Sequence, residues 1–569
     1  MTPDAHQRMP HSGMHISNYK DIPAFDGLLT HGHAAITTVP KEKEKNLVAL
    51  RLKDGSAFVL ATPSEQNKVA WFALRERLKS KGYLLRGHAT CTDEIMDMLL
   101  HDLNRLSKEA LRQVIQDAAV VNNLVNESVP IAWFKDLLAS IMLIGASDIH
   151  LEFRGPRAVV RVRLDGLMRE FTAVPMQIAM DGVSAIYNII AEERSRSEGA
   201  FNASLAQQAM VPIAVGTELV NLRFQSHPAV DGLDVVVRVL RTNSSERSKQ
   251  LDLHRLGYTD SQIEMLNVAI GSSWGGVFIA GVTGSGKTTT LNTLLTQLAK
   301  IGNRKIVSIE DPVEYQVDGV SHLSIQRSVA GDEGSNPFKS AMMAFLRMDP
   351  DIGMFGEVRD ALSAEMALSA IQTGHKILTT VHATSALGVI GRLTSRFLGL
   401  MRENVCTPEF ISTLVYQVLT PINCPHCKVR AMDVMPAAEL VAYQKYFGLD
   451  VRDIYCASDA GCAHCLKPNI DYSKSKRVGV KGVKVNAEVI TPDEAMFELL
   501  NTGKDIEARR VWRAKRSAPF TSADMMGKEA WGHALYDMSQ GLIDPYYFEM
   551  NFGAPKIFAS QVGDVCTTH

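Results

Sequence analysis

The chain has 569 residues, 46% of them apolar and 21% charged, with 60 Lys+Arg against 62 Asp+Glu and a formal charge of −2. That length exceeds what one hydrophobic core supports, so several domains of roughly 100–200 residues each are expected, and the composition excludes a disordered or low-complexity chain. Balanced charge gives no general attraction to a nucleic-acid backbone, and the best apolar run, residues 137–146, is about half of the ~20 residues a bilayer helix needs.

The N-terminal MTPDAHQRMPHSGMH has no apolar stretch after a basic start, so no secretory signal is expected and a cytoplasmic location follows. Two alternating runs, NLVALRL and SAFVLAT, flank Asp54-Gly55 and predict a β-hairpin in a small α/β unit. Ile95, Met98, Leu99, Leu103 and Leu106 fall at helical spacing within residues 92–119, and a second helix is expected over 131–144, ending at Gly145. Residues 147–241 alternate as strands do (IHLEF, AVVRVRLDG, VNLRFQS, DVVVRVLR), with a helix predicted over 180–193, which makes a second α+β domain. The polar stretch 242–250 has linker composition. Beyond it, apolar strands alternate with helices to about Thr420, the pattern of a doubly wound parallel sheet.

Within that sheet the apolar run GVFIA feeds directly into Gly281-Val-Thr283-Gly284-Ser285-Gly286-Lys287-Thr288-Thr289, which opens a helix. This is GxxxxGK[ST] in its strand-loop-helix setting, where backbone N–H groups face one anion, Lys287 reaches the β and γ phosphates, and the Thr288 hydroxyl takes a Mg²⁺ position. Hydrolysis needs carboxylates at the ends of neighbouring strands. Two segments qualify: residues 305–314, ending in Glu310, Asp311 and Glu314, and residues 349–360, containing Gly356-Glu357. A third strand, TGHKILTTVH, carries His375 and His382 at its ends, histidines that elsewhere are usually structural hydrogen-bonders.

Cys424-Pro-His-Cys427 and Cys462-Ala-His-Cys465 are two knuckles that together offer four thiolates, the ligand set of a tetrahedral Zn²⁺ site, against the alternative of redox-active pairs. Cys456 is a possible substitute ligand, and the helical stretch between the pairs would be an insertion pinned by the metal. Cys91, Cys406 and Cys566 have no partner pattern and read as small apolar residues.

The ordered set GVTGSGKTTT, IEDPVEY, DPDIGMFGEVRD and TGHKILTTVHA resembles the type II secretion and type IV pilus ATPases, in which these segments are Walker A, Asp box, Walker B and His box. ASDIHLE followed by VRVRLDGLMRE resembles the start of that family's second N-terminal domain, and the cysteine pairs fall where assembly members carry a tetracysteine site. The resemblance covers about residues 120–500. It implies a multidomain α/β protein: a RecA-like P-loop NTPase core preceded by a PAS-like α+β domain (109–243) and a small N-terminal docking domain (1–108). The core would span 244–420, followed by a zinc subdomain (421–470) and a helical C-terminal region (471–569).

Carried over by position, Glu314 would activate water and Glu357 would hold Mg²⁺, or the two roles would be exchanged. His375 and His382 would contact the γ-phosphate region, and Arg223 and Arg238 would reach the phosphates from the second domain. The resemblance further implies a homohexamer that binds ATP, Mg²⁺ and Zn²⁺. It would dock peripherally on the inner membrane through a platform protein and cytoplasmic docking proteins, without nucleic acid, and extend a pilus or drive type II secretion. The alternatives are a conjugative-transfer (type IV secretion) traffic ATPase, a retraction ATPase, or a nucleotide-bound scaffold without turnover, which would not need the acids. Two segments depart from the family pattern: Gln207-Gln208-Ala209-Met210 replaces a PQDGR-like stretch, and SKRVGVKG from Ser475 replaces GYxGRxG. Domain contacts near residue 207 are therefore expected to differ.

Overall fold

The computed structural model describes residues 14–18, 21–23, 25–30, 37, 39, 43, 45–66, 68–96, 99, 128–216, 218–241, 252–311, 313, 315–325 and 337–558. The chain divides into two compact units, Met1–Asn126 and Glu127–His569. In the first unit, β1 (Met14–Ile16), β2 (Phe25–Leu28), β3 (Leu47–Leu52), β4 (Ala57–Ala61) and β5 (Leu85–Cys91) form one sheet in the order β1-β5-β4-β3-β2. The apolar runs read from the sequence are β3 and β4, nearly every residue buried because side chains cover both faces. Trp71, Leu74 and Leu78 of α1 (Val69–Ser80) fill one face. The hairpin at Asp54-Gly55 forms with a four-residue loop, closed by the Ser56 N–H donating to Asp54 Oδ1 at 3.0 Å. Of the helix expected over 92–119, residues 97–98 and 100–119 lie outside the described residues.

The second unit begins with α2 (Val129–Ile144), which stops at Gly145 as the sequence indicates. A six-stranded antiparallel sheet follows, in the order β8-β7-β6-β11-β10-β9, from β6 (Asp148–Arg154), β7 (Arg157–Leu164), β8 (Leu167–Pro175), β9 (Gln207–Val215), β10 (Glu218–Ala229) and β11 (Gly232–Arg241). Alternation is clear in β7, where Val160 and Val162 enter a core closed by α2 and α3 (Met176–Ala185) while Arg161 and Arg163 face away. The helix predicted over 180–193 starts earlier, directly after Pro175, because proline cannot continue the ladder, and ends in a π-helical turn at Ile186–Ile190. Gln207, in the segment that departs from the family pattern, is buried and closes its own loop. Its Oε1 accepts the Asn202 N–H at 2.6 Å and its Nε2 donates to the Ala200 carbonyl at 2.8 Å.

The larger sheet runs β14-β13-β15-β16-β12-β17-β20, from β12 (Gly275–Ala280), β13 (Ile306–Glu310), β14 (Val320–Ser324), β15 (Ile352–Phe355), β16 (Lys376–Val381), β17 (Ile411–Asn423) and β20 (Val480–Ile490). All pairs are parallel except β17 with β20, so the mainly parallel, doubly wound core is present. Successive residues of β12 serve opposite cores. Val277 and Ile279 pack under α4 (Asp260–Gly271) and α5 (Lys287–Ile301), whereas Phe278 packs with Ala364 and Ala367 of α6 (Ala361–Gln372). The cysteine pairs, the short β18 (Val429–Arg430) and β19 (Tyr455–Cys456), and α7 (Ala437–Phe447) all fall between β17 and β20, an excursion from the sheet. Among the described residues no helix is long and apolar enough to cross a membrane.

Helix α8 (Ala530–Ser539) seals β20 through His533, which is fully buried and whose Nδ1 accepts the Ala487 N–H at 3.1 Å. Burial pushes this imidazole down to about 4, so it is neutral in the fold. Between pH 6.5 and about 4 the unfolded chain binds a proton that the folded chain refuses, so stability declines as pH falls through that window, by about 3 kcal/mol. His533→Asn keeps an acceptor without the titration; unfolding free energies measured from pH 4 to 6.5 should show a correspondingly shallower slope.

Candidate functional site

β12 lies between β16 and β17 and delivers Gly281 to the sheet's C-terminal edge. Gly281 has φ +155°, and a Cβ there would stand 2.3 Å from Ser285 Oγ and 2.5 Å from the Gln417 carbonyl oxygen, so only glycine fits. Gly284 and Gly286 take left-handed conformations that curl the loop and start α5. Lys287 is buried, its Nζ donating to the carbonyls of Gly281 (2.9 Å) and Val282 (3.1 Å). Burial lowers its affinity for the proton, opposed by Glu357 and reinforced by Arg238. A triphosphate would supply the close anionic partner that this ammonium lacks among the described residues.

Two residues that motif reading does not find brace this loop from below. Gln417 of β17 donates from Nε2 to the Ser285 carbonyl at 2.6 Å, and its Oε1 accepts the Tyr258 hydroxyl at 2.8 Å; both side chains are buried. No local pattern marks them, because Gln417 stands 132 residues after Ser285 and 159 residues after Tyr258.

A cavity of about 550 Å³ opens above the loop, within the size range of nucleotide-sized ligands. Thr283, Gly284, Ser285, Gly286, Lys287, Thr288 and Thr289 line one wall. The opposite wall is the polar face of the antiparallel sheet, where the register puts Arg223 beside Arg238, Arg238 beside Asp148, and Asp148 beside Arg163. Asp148 is buried between its neighbours, accepting from Arg238 Nε at 3.0 Å and from Ser147 Oγ at 2.7 Å. Arg223 is exposed to the cavity and, among the described residues, has no ion-pair partner. The family resemblance points to Arg223 and Arg238. It misses Arg163, which joins the row only through pairing across four strands.

Glu357 follows β15 and lines the cavity with Thr288, so the two residues named for Mg²⁺ share one site. His382 Nε2 lies 3.3 Å from Glu357 Oε1. His375 is not brought to this cavity: it precedes β16 while His382 follows it, roughly 20 Å away along the strand, and its Nδ1 is 3.0 Å from Thr373 Oγ1. Glu314 lies outside the described residues. The same segment instead brings Glu310 to the cavity, buried, with Ser308 Oγ donating to its Oε1 at 2.8 Å. His322 Nε2 accepts the Val317 N–H at 2.9 Å, so its proton sits on Nδ1, which donates toward Ser308 Oγ at 2.7 Å. This chain fixes the Glu310 carboxylate. Asp311 pairs with Arg359, which also lines the cavity.

The four cysteines singled out in the sequence converge, with all four Sγ atoms within 4.8 Å of one another. The hydrogen-bond-length pairs are Cys424–Cys462 at 3.8 Å, Cys427–Cys465 at 3.7 Å and Cys462–Cys465 at 3.8 Å. A tetrahedron with Zn–S bonds of about 2.3 Å has edges of about 3.8 Å, so the donor set fits Zn²⁺ in both chemistry and size, and a disulfide at about 2.05 Å is not what the sulfurs form. Gly479 packs against this cluster; a Cβ there would lie 3.0 Å from Cys427 Sγ and 2.7 Å from the Ser458 nitrogen. Cys456 is not in the cluster but buried in the neighbouring core, where burial raises its thiol to about 11. Cys91 and Cys406 are likewise buried, whereas Cys566 lies outside the described residues.

The family described as Type II/IV secretion system protein matches residues 124–519. Type II secretion system protein E of Pseudomonas aeruginosa is 34% identical over 50% of this chain and 52% of its own length. Type IV pilus assembly ATPase PilB of Thermus thermophilus is 27% identical over 81% of this chain and 49% of its own length. Type II secretion system protein E of Aeromonas hydrophila is 28% identical over 82% of this chain and 89% of its own length. The chain thus spans about half the length of the first two of these relatives.

Proposed function

The chain belongs to the type II/IV secretion system protein family, and on that premise we propose that it is an ATPase motor that hydrolyses Mg²⁺-ATP to drive pilus assembly or type II secretion. The observation that carries this reading is the pairing of a complete phosphate loop with an arginine row across one cavity of the same unit. A static nucleotide-binding scaffold has no need of donors aimed from a second layer at developing phosphoryl charge. The names of the relatives, and the four-cysteine cluster that the resemblance ties to assembly members, support assembly or secretion over retraction. A homohexameric ring, peripheral attachment at the cytoplasmic side of the inner membrane, and partnership with a platform protein and docking proteins complete the proposal.

In the catalytic assignment the loop amides and Lys287 bind the β and γ phosphates, while Thr288 and Glu357 hold the Mg²⁺ water shell. Glu314, assigned by its place in IEDPVEY, activates water, with the fixed Glu310 carboxylate polarising the same region. His382 orients Glu357. His375 has no role in this subunit's own cavity. Arg223 and Arg238 neutralise the transferring phosphoryl group, a task suited to planar, permanently charged forks.

The direct test is magnesium-dependent phosphate release by the purified chain, and two variants refine it. Glu357→Gln should retain bound ATP while turnover falls about 10²–10³-fold, read as stoichiometric nucleotide remaining on the protein after gel filtration. An active variant would move the metal role to another acid. Arg223→Ala should lower kcat by about 10²-fold or more with KM within about threefold, because the donor acts on charge that is greatest in the transition state. A rise in KM at constant kcat would make Arg223 a ground-state binding residue.

A further inference from the structure

The arginine row sits on a sheet that residues 242–251 join in sequence to the nucleotide domain. A second, non-covalent tie comes from the zinc subdomain. The segment 466–474 leaves the Cys462–Cys465 knuckle and runs along β8. Ile470 packs against the core of the antiparallel sheet. The Asp471 N–H donates to the Glu170 carbonyl at 2.9 Å, making an antiparallel bridge. The Arg169 guanidinium, itself buried, lies 5.6 Å from the centre of the Tyr472 ring, and the Tyr472 hydroxyl accepts the Lys467 N–H at 3.0 Å, closing the segment on itself.

The tip of the same β7–β8 hairpin is also gripped. Gly166 faces Val483 of β20, where an added Cβ would meet its side chain at 3.4 Å, and Leu167 packs with Ala457, Val480 and Tyr547. Arg163 belongs to this hairpin: its Nη1 donates to the Gly166 carbonyl at 3.1 Å, and its Nε is 3.9 Å from Asp148, which in turn holds Arg238. A continuous set of contacts therefore leads from the cysteine knuckle through β8 to the side chains that face the phosphate loop.

We propose that segment 466–474 is a strap that uses the metal knuckle as its fixed point and positions the Arg163–Asp148–Arg238–Arg223 row over the phosphates, with Tyr472 and Arg169 as its positioning residues. This rests on the ATPase reading above. Donors to a transition state must be held to a fraction of an ångström, and a displacement of about 1 Å can cost 10²-fold in rate. Loosening the strap should leave binding at the phosphate loop intact while the arginine wall loses its aim.

The experiment uses the full, zinc-loaded chain with Tyr472→Ala and Tyr472→Phe, and Arg169→Leu to remove the same contact from the other layer. In Tyr472→Ala and Arg169→Leu, kcat should fall about 10- to 100-fold with KM within about threefold. Hydrogen exchange over residues 157–175 should accelerate about tenfold or more, with zinc content equal to wild type. Tyr472→Phe, which keeps the ring under the guanidinium, should restore both values. Unchanged exchange over 157–175 in both disruptive variants overturns the strap, as does a kcat equal to wild type in both, or a fall in kcat that tracks lost zinc. A wild-type chain that releases no phosphate defeats the ATPase reading instead, and the exchange measurement, which needs no turnover, then decides the strap alone.

Discussion

Lys287→Ala is expected to reduce phosphate release from Mg²⁺-ATP by about 10³-fold or more while leaving the chain folded. The ammonium is a single point charge aimed into a largely water-excluded loop. Losing one such charge-assisted contact to a transferring phosphoryl group costs about 4 kcal/mol of transition-state stabilisation, or roughly 10³-fold in rate. Stability responds in the opposite sense. Among the described residues Lys287 Nζ donates to two loop carbonyls, and burial already disfavours its charge, so alanine removes a desolvation penalty along with two hydrogen bonds. A thermal melt within a few degrees of wild type, with phosphate release at background, is the outcome that locates the defect in chemistry. Lys287→Arg should not rescue it, because the guanidinium is a wider, planar donor for a pocket shaped around a compact ammonium. Turnover near wild type in Lys287→Ala would remove the phosphate loop from the mechanism.

What was legible in the sequence follows the distance over which each feature is encoded. The phosphate loop is contiguous, and its glycines, lysine and flanking apolar strand can be read in one pass. The knuckles are similarly local, and their 38-residue separation is spanned by four thiols whose chemistry announces a common ligand. Arg223 and Arg238 are named in the sequence because the family resemblance places arginines on the strands VNLRFQS and VVVRVL. Arg163 is not, because its membership of the row depends on register across β7, β6, β11 and β10, a relation no single segment contains. The same limit hid the Gln417–Tyr258 brace and the His322–Ser308–Glu310 chain. The two histidines at the ends of one strand show the converse: the resemblance implies a shared site, but a six-residue strand holds its ends far apart, and of the two only His382 reaches the cavity. The return of β20 to the nucleotide sheet was also out of reach, since its partner β17 precedes the whole cysteine-bearing excursion.

Replacing Cys424 and Cys462 together by serine is expected to release the zinc and to unfold residues 424–480 as a unit, with a large fall in melting temperature. One ligand is removed from each knuckle, so neither can hold the ion with its remaining thiolate. Each knuckle's own turn is a pair of backbone bonds, such as Lys428 N–H to the Cys424 carbonyl at 3.0 Å and Leu466 N–H to the Cys462 carbonyl at 2.9 Å. Without a metal the knuckles are joined by the Cys424 N–H to Gly479 carbonyl and Gly479 N–H to Ser458 carbonyl bonds, both 2.8 Å, by the stacked rings of His426 and His464 and by the two-residue β18–β19 pairing beside them. Structural zinc sites contribute roughly 10–16 kcal/mol in small peptides at neutral pH, as much as the whole stability of a typical domain, so these few bonds cannot substitute for it. The damage should spread to β20, whose first residue, Val480, packs with Ala457 and Tyr547, and to the aromatic core around Tyr443, Phe447 and Phe548. Elemental analysis and calorimetry check this together: zinc should fall from one ion per chain to none, and the melt should gain an early transition. Zinc content unchanged in the double variant would refute four-thiolate coordination. Wild-type protein that contains no zinc but forms disulfides within each knuckle on mild oxidation would establish the redox alternative, which requires the Cys462 and Cys465 sulfurs to close from 3.8 Å to bonding distance.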